Sequence, residues 1–287
     1  MSLKEIKTRI QSVSNTRKTT SAMKMVSSVK LRKAQQNIQY AVPYVEQLNH
    51  ILTSLSSMPQ AQSVSPLVAE RQVKEVAVIC ISSDSSLCGG FNANIIKHSR
   101  ALIKELSGID STPLVYTIGQ KITESFRKEG MSINTSYSGL VASRSYDQAA
   151  SLADDLMDMF VNGHLDKVVL TYTHFRSAGS QRIVDEVLLP VSVPDIKTDA
   201  QAADYILEPS ATELISDLLP KVIRTRLYCA VLDSYASEQA ARVIAMQAAT
   251  ENADNLIGDL TLQYNKLRQQ AITSEILDLA AGSQSQS

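Results

Sequence analysis

Apolar residues recur at every third or fourth position in two long stretches, one near each end of the chain. In the first stretch they are Leu3, Ile6, Ile10 and Val13, and then Leu31, Ala34, Ile38, Ala41, Val45, Leu48, Leu52 and Leu55. In the last stretch they are Met246, Ala249, Ala253, Ile257, Leu260, Tyr264 and Leu267. This spacing is typical of the apolar stripe of an α-helix. The sequence therefore predicts a long helix at each end of the chain.

The first stripe is interrupted in its middle. Counted on at the same spacing from Val13, it falls on four polar residues, which are Arg17, Thr20, Lys24 and Ser27. The apolar residues of this part lie on neighbouring positions instead, at Met23, Val26 and Val29. We interpret this as a shifted stripe, and we expect two paired helices to hold each other least firmly here.

Capping signals and prolines define the extent of the two helices. Ser2 with Glu5, and Ser210 with Glu213, have the spacing of a capping box. Pro43 should kink the first helix without ending it, and the proline at position 220 marks a kink or a break in the second. We predict an N-terminal helix over residues 1–58 and a C-terminal helix over 210–282.

Turn residues are concentrated between the two helices, where eight of the ten glycines lie from Gly89 to Gly179. Strand-like runs alternate there with helical patterns. The predicted strands are Glu75 to Ser82, 112–119, 131–137, Lys167 to Phe175 and 181–191, the last two as a hairpin. The predicted fold class is α/β: a doubly wound, Rossmann-like domain over residues 72–205, with one antiparallel edge. The two long helices should bury their stripes against each other as an antiparallel coiled coil.

Charge is distributed unevenly along the 287 residues, although the formal net charge is only −1. Residues 1–58 carry nine bases and two acids, whereas residues 221–287 carry six bases and seven acids. Residues 59–220 therefore carry a net charge of −7, because the charges of the three parts, +7, −7 and −1, must add up to the −1 of the whole chain. A basic helix could bind the phosphates of a nucleic acid. However, the arm has no Phe or Trp to stack on bases, and its first Tyr is Tyr40. A protein partner of opposite charge explains the arm better.

Candidate chemistry is sparse. The glycine-containing stretch "SSDSSLCGGFNAN" follows the first predicted strand, but it lacks the GxxxxGK[ST] and GxGxxG patterns. A phosphate-binding role would thus rest on position alone, and a tight turn with positive φ at Gly89 and Gly90 is the alternative. The four histidines and three cysteines do not show metal-ligand spacing. We expect no catalytic residue, cofactor or metal. No uncharged apolar run reaches 18 residues, so we expect neither membrane spanning nor export.

Both ends of the chain resemble a known family. The stretches "SLKEIKTRIQSVSNTRKTTSAMKMVSSVKLRKAQ" and "ASEQAARVIAMQAATENADNLIGDLTLQYNKLRQQAITSEILDL" resemble the two terminal signatures of the gamma subunit of F-type ATP synthase. The stretch "SSDSSLCGGFNAN" is similar to that family's "SDRGLCGGLN" segment, with Ser85 in place of the usual Arg. The role of that basic residue is therefore in doubt here. The cysteine-pair insertion of the chloroplast type is lacking.

The resemblance implies a non-catalytic rotor shaft that couples proton flow to ATP synthesis. Its implied partners are the alpha and beta subunits, the epsilon subunit and the c ring, with one copy per complex and no nucleic acid. The implied location is peripheral, on the cytoplasmic face of the bacterial inner membrane. The implied contact residues are Met23, Lys24, Arg242, Arg268, Gln269 and Thr273 for the catalytic ring, Ile272, Ile276, Leu277 and Leu279 for the apolar tip, and Tyr205 and Glu208 for the c ring. Arg242 is expected opposite Met23.

Overall fold

A computed structural model describes residues 2–56, 65–108, 111–191, 208 and 210–284 of the chain. The helices are α1 (Leu3–Ser56), α2 (Phe91–Ser107), α3 (Gln120–Lys128), α4 (Leu140–Ser143), α5 (Tyr146–Val161) and α6 (Ala211–Gln284). The strands are β1 (Glu75–Ile81), β2 (Thr112–Ile118), β3 (Thr135–Tyr137), β4 (Lys167–Ser177) and β5 (Ser180–Leu189). Among these described residues, no helix is both long and apolar enough to cross a membrane.

The five strands form one sheet in the order β3-β2-β1-β4-β5. The pairs β1 with β2, β1 with β4, and β2 with β3 are parallel, whereas β4 and β5 form an antiparallel hairpin at one edge. This confirms the predicted doubly wound domain with an antiparallel edge. The predicted strand over residues 131–137 is shorter than expected, because only its last three residues pair with β2.

The sheet is covered on both faces, which explains why β1 is apolar throughout. Val76, Val78 and Cys80 pack on one side in a cluster with residues of α2 and α3. The alternate residues Ala77 and Ile79 pack on the other side, in a larger cluster with residues of α1, α5 and α6. Side chains of a strand alternate between faces, so a strand buried on both sides shows a continuous apolar run rather than alternation.

The long helices begin as their capping signals predict. The Ser2 amide donates to Glu5 Oε2 over 2.8 Å, and the Glu5 amide donates to Ser2 Oγ over 3.3 Å. The Glu213 amide likewise donates to Ser210 Oγ over 3.3 Å. Pro43 lies inside α1, which runs for 54 residues, and Pro220 lies inside α6, which runs for 74. Neither proline ends its helix.

Contacts between residues divide the chain into two compact units, to both of which α1 and α6 contribute. Unit 1 consists of Met1–Ser28 and Arg242–Ser287, and it is a pair of antiparallel helical segments. Unit 2 is Val29–Ala241, which holds the sheet, its covering helices, and the remaining parts of α1 and α6. The sequence predicted three parts instead, an N-terminal helix, an α/β domain and a C-terminal helix, with bounds at the ends of the elements. That division stays a prediction.

Asp84 joins the carboxyl ends of β1, β2 and β3, which are three of the four parallel strands of the sheet. It follows β1, and its Oδ1 atom accepts hydrogen bonds from the amides of Gln120 (3.0 Å) and Gly139 (3.2 Å). Those amides follow β2 and β3 respectively. One carboxylate oxygen thus holds both loops against the end of β1.

Candidate partner-binding surfaces

The middle of the α1 stripe contacts α6 through polar side chains. Arg17 Nε lies 3.1 Å from Asp254 Oδ1, and Lys24 Nζ donates to Gln247 Oε1 over 2.7 Å. Between these pairs, the hydroxyls of Thr20 and Thr250 are 2.8 Å apart. As the position in α1 rises from 17 to 20 to 24, that in α6 falls from 254 to 250 to 247, by three or four residues at each step. The two helices are therefore antiparallel here, and the stripe continues in its original phase.

The interpretation of a shifted stripe is therefore wrong. Ser27, the next position of the strict count, is only 3% exposed. The apolar residues beside the stripe point away from it, because Met25 is 63% exposed, Val26 55% and Val29 71%. Three polar pairs join the helices here, but exposed or half-exposed pairs add little to stability, so the expectation of a weak hold stays a prediction. We call the exposed apolar residues Met25, Val26 and Val29 the outward patch.

The expected contact residues near this patch occupy different environments. Met23 is half-buried, as is Lys24, whose ammonium group is bound to Gln247. Arg242 is only 7% exposed and lies five positions before Gln247 along α6. At ~1.5 Å per residue, it is more than one helical turn away from the level of Lys24. The expectation that Arg242 lies opposite Met23 is therefore wrong.

Most bases of the N-terminal arm are exposed and make no ion pair within the described residues. Of the nine, Arg17 pairs with Asp254 and Lys24 donates to an amide oxygen. The other seven, all exposed, are Lys4, Lys7, Arg9, Lys18, Lys30, Arg32 and Lys33. An exposed charge costs little to hold in water and attracts a surface of the opposite sign. We call these seven residues the free bases.

The far part of α6 carries the remaining expected ring contacts. Arg268, Gln269 and Thr273 are exposed, and the Thr273 hydroxyl donates to the Gln269 carbonyl of its own helix over 2.9 Å. Exposed apolar residues follow: Ile272 is 48% exposed, Ile276 59% and Leu277 63%. The side chain of Leu279 lies outside the described residues. Polar and apolar side chains thus share an accessible stretch of helix.

The two residues expected to contact the c ring, Tyr205 and Glu208, precede α6 in the sequence. Glu208 is exposed. Tyr205 lies outside the described residues. Their contact with the c ring stays a prediction.

The loop between β1 and α2 is closed by its own side chains. The Ser83 hydroxyl lies 2.6 Å from the Ser85 carbonyl and 2.8 Å from Asn92 Oδ1, and the Asn92 amide donates to the same Ser85 carbonyl over 3.2 Å. Gly89 has a φ of 60°, as a tight turn requires, and Leu87 shares this conformation at 65°, which sequence reasoning missed. Gly90 has a helical backbone with a φ of −81°. These contacts favour the tight turn over a phosphate-binding loop.

Titratable groups elsewhere are engaged in structural contacts. Two histidines bond carboxylates: His98 Nε2 lies 2.8 Å from Asp185 Oδ2, and His174 Nδ1 bonds Asp233 Oδ2. All three cysteines are free, and burial raises the pKa of Cys80 to about 12 and that of Cys229 to about 11. The thiols of Cys80 and Cys229 thus stay protonated and weakly nucleophilic at neutral pH. Within the described part of the chain, no group of three or more His, Cys, Asp or Glu could hold a metal ion.

Comparison with known proteins is consistent across the whole chain. The family model described as ATP synthase matches residues 2–285. An ATP synthase gamma chain of Phocaeicola vulgatus is 47% identical over 286 residues, which cover 98% of this chain and 99% of that protein. One of Bacteroides fragilis is 48% identical over 287 residues, with the same coverage of the two chains.

A solved structure shares the fold at much lower identity. A chain in a Euglena gracilis mitochondrial ATP synthase, from a structure of OSCP, F1 and the c ring in rotational state 3, is 16% identical. It aligns with a TM-score of 0.68 over 99% of this chain and 94% of its own length. The similar architecture and the much closer curated relatives lead to one conclusion. The chain belongs to the ATP synthase gamma chain family.

Proposed function

We propose that the chain is the central rotor shaft of an F-type ATP synthase. In this role it couples proton flow through the membrane c ring to successive conformational changes in the catalytic beta subunits. The observation that supports this most directly is the surface around residues 17–30. There the stripe of α1 is held to α6 by polar pairs, while the outward patch and two of the free bases, Lys18 and Lys30, are exposed. An apolar patch ringed by charge is typical of a protein contact site.

The proposed coupling mechanism requires that the shaft contact the different conformations of a beta subunit to different extents. A beta subunit with several conformations shifts toward whichever one the shaft surface contacts best. The shaft surface is uneven around its circumference, since the outward patch lies on a different side of α1 from Arg17, Thr20 and Lys24. Three identical partners arranged around such a surface would each meet a different face. Rotation would then change their conformations in sequence without any bond chemistry in the shaft.

The remaining parts of the proposal concern the other end of the molecule. The α/β region, proposed as a foot domain over residues 72–205, would lie beside the epsilon subunit and against the c ring. Glu208 is exposed and could contribute to that contact together with Tyr205. One copy of the chain would serve each complex. The complex would hold it as a peripheral protein on the cytoplasmic face of the bacterial inner membrane.

We further propose that the chain has no active site of its own. The isolated chain should then show no ATPase activity, and affinity capture of it from detergent-solubilised membranes should recover alpha and beta subunits. Capture without any nucleotide-binding hexamer would contradict the shaft proposal. Lys18→Glu, Lys30→Glu and Lys33→Glu together should weaken the capture. The matched control is Lys97→Glu, Lys104→Glu and Lys128→Glu, which reverses three exposed lysines of α2 and α3.

The free bases also favour a second candidate, a coiled-coil adaptor that binds nucleic acid. Binding of that kind is driven by the release of counterions from the phosphates, and this contribution to the affinity decreases as the salt concentration rises. Duplex DNA or RNA should then bind the full chain with an affinity that falls steeply between about 50 and 200 mM salt. The same measurement should show no specific binding if the bases serve a protein partner.

A further inference from the structure

A cavity of about 300 Å³ lies within unit 2, where three elements meet. The middle of α1 forms one side, residues 226–233 of α6 form another, and the β4–β5 hairpin forms the third. This volume is at the lower end of the range for small-molecule sites. No residue assigned above to a partner contact lines it.

Part of the cavity wall is apolar. Val42 and Val45 contribute from α1, Phe175 from the hairpin, and Leu232 from α6. Leu232 is 1% exposed, whereas Val42 is 41% exposed, so the cavity runs from the buried surface of α6 to a mouth at the surface of α1. An apolar group that enters from solvent would gain by leaving water here.

Polar groups converge on the same space from all three sides. The Tyr172 hydroxyl donates to Glu186 Oε2 over 3.1 Å, and both residues line the cavity. Asp233, another lining residue, accepts from the Phe175 amide over 3.0 Å and bonds His174. Each of these carboxylates is therefore fixed in position by at least one partner from a neighbouring element or residue.

The charges that face the cavity are predominantly negative. Three lining carboxyls, Glu46, Glu186 and Asp233, face two lining bases, Arg226 and His174. The Arg226 guanidinium is oriented by Asn49, whose Oδ1 atom accepts from Nη2 over 2.9 Å. Glu46 is exposed and makes no hydrogen bond or ion pair with the rest of the described chain. Three lining carboxyls thus stand against the single lining guanidinium of Arg226.

Neighbouring groups do not offset this charge. Burial raises the pKa of Cys229 to about 11 and that of Tyr172 still further, so the thiol and the phenol are neutral and leave the lining charge unchanged. Burial also raises the pKa of Asp233, and Glu46 and Glu186 are two further carboxyls of the lining. Glu46, near the exposed edge, remains the carboxylate best placed to meet a ligand.

We propose that this cavity is a binding site for a small organic cation with an apolar body. The apolar part would occupy the space between Val45, Phe175 and Leu232, and the cationic group would lie at Glu46. Such a ligand would contact α1, α6 and the hairpin at once. It would therefore hold the three elements in one arrangement, which would be a second property of the chain, separate from the proposed shaft surface.

The test is a calorimetric titration of the full-length chain at pH 7 with three probes of nearly equal shape. They are phenylbutylamine, which is cationic, phenylbutanol, which is neutral, and phenylbutyrate, which is anionic. The amine should bind about fivefold more tightly than the alcohol, the effect of one partly exposed charge pair. Glu46→Gln should remove this difference and leave the affinity for the alcohol unchanged. The matched control Glu105→Gln, an exposed glutamate of α2, should alter neither.

A second variant tests the location. Val42→Trp adds bulk at the exposed mouth, where the chain should tolerate it, and should abolish binding of both the amine and the alcohol, with circular dichroism unchanged. Equal affinity for amine and alcohol, or tightest binding of phenylbutyrate, would overturn the charge assignment. Absence of amine binding at millimolar concentration, or binding that survives Val42→Trp, would overturn the site. None of these outcomes bears on the shaft proposal.

Discussion

At the scale of single residues, the closest backbone approach in the α/β region occurs at Gly119. It lies between β2 and α3 with a φ of 102°, which is outside the range of ordinary L-residues. A β-carbon built on it would lie 2.4 Å from the carbonyl oxygen of Ser82. The glycine thus lets the ends of β1 and β2 come together where Asp84 joins them.

Gly119→Ala should therefore be among the most destabilising small substitutions in the chain. The added methyl collides with backbone, which cannot move aside like a flexible side chain, so we expect a loss of more than ~3 kcal/mol in urea unfolding. Gly130→Ala is the matched control. Gly130 also has a positive φ, of 73°, but nothing lies within 4 Å of its added β-carbon. It should cost only the conformational penalty of ~1–2 kcal/mol. Equal losses for the two variants would contradict the close approach.

Asp233 predicts an unusual dependence of stability on pH. Burial raises the pKa of its carboxyl, although His174 and the Phe175 amide oppose the shift. Between the ordinary pKa of 3.8 and the raised value, the native state holds more protons than the unfolded state. The free energy of unfolding of the wild type, relative to Asp233→Asn, should therefore fall as pH rises through that interval and then level off.

Asp166 provides a control of opposite sign. The amides of Glu75 and Lys74 donate to it over 3.0 and 2.9 Å, and these bonds lower the pKa of its carboxyl. The free energy of unfolding relative to Asp166→Asn should then rise with pH up to about 3.8, and its advantage should be lost as pH falls through the lowered pKa. Urea titrations from pH 3 to 7 would measure both. If the free energy of unfolding changed with pH in the same direction for both residues, the raised pKa of Asp233 and the lowered pKa of Asp166 would be contradicted.

At the scale of elements, the register of the helix pair in unit 1 can be tested directly. Val13 and Ile257 are half-buried on facing stripes, one turn beyond the Arg17–Asp254 pair. Cysteines at these two positions should form a disulfide within one chain under mild oxidation. Cysteine at Val13 with cysteine at Leu256 is the control, because Leu256 is 38% exposed and points away from the stripe. If the control pair oxidises as readily as the test pair, the register is wrong.

Most elements could be predicted from the sequence because their patterns are local. The stripe of α6 from Met246 to Leu267 is buried or half-buried at every predicted position. The middle of α1 was misread because an apolar residue was assumed to face inward. The regular spacing of the stripe places Thr20 and Lys24 inward. That they face hydrogen-bond partners is not visible from the spacing, because these partners lie more than 220 positions away in the chain. The register, and hence the misplaced Arg242, depends on such distant pairs, which spacing within one helix does not reveal.

At the scale of the whole molecule, the outward patch should matter to the complex and little to the chain alone. Met25→Gln, Val26→Thr and Val29→Thr replace exposed side chains, so each should change the free energy of unfolding by less than about 0.5 kcal/mol. In the assembled complex the three changes together should lower ATP-driven proton pumping by about tenfold, or ~1.4 kcal/mol of lost differential contact. Val73→Thr with Val161→Thr, two exposed valines of unit 2, is the control. Pumping that is unaffected by the triple variant would remove the patch from the mechanism.

The polar pairs between α1 and α6 also determine how this part of the molecule responds to temperature. Burial of apolar surface is the main source of the heat capacity of unfolding, and its contribution weakens on cooling. The stretch that holds Ile6, which is 1% exposed, follows that rule. The stretch joined by Arg17, Thr20 and Lys24 relies on directional bonds, which carry little of this heat-capacity change. In the cold, the two helices should therefore retain their contact best at the centre of the basic arm.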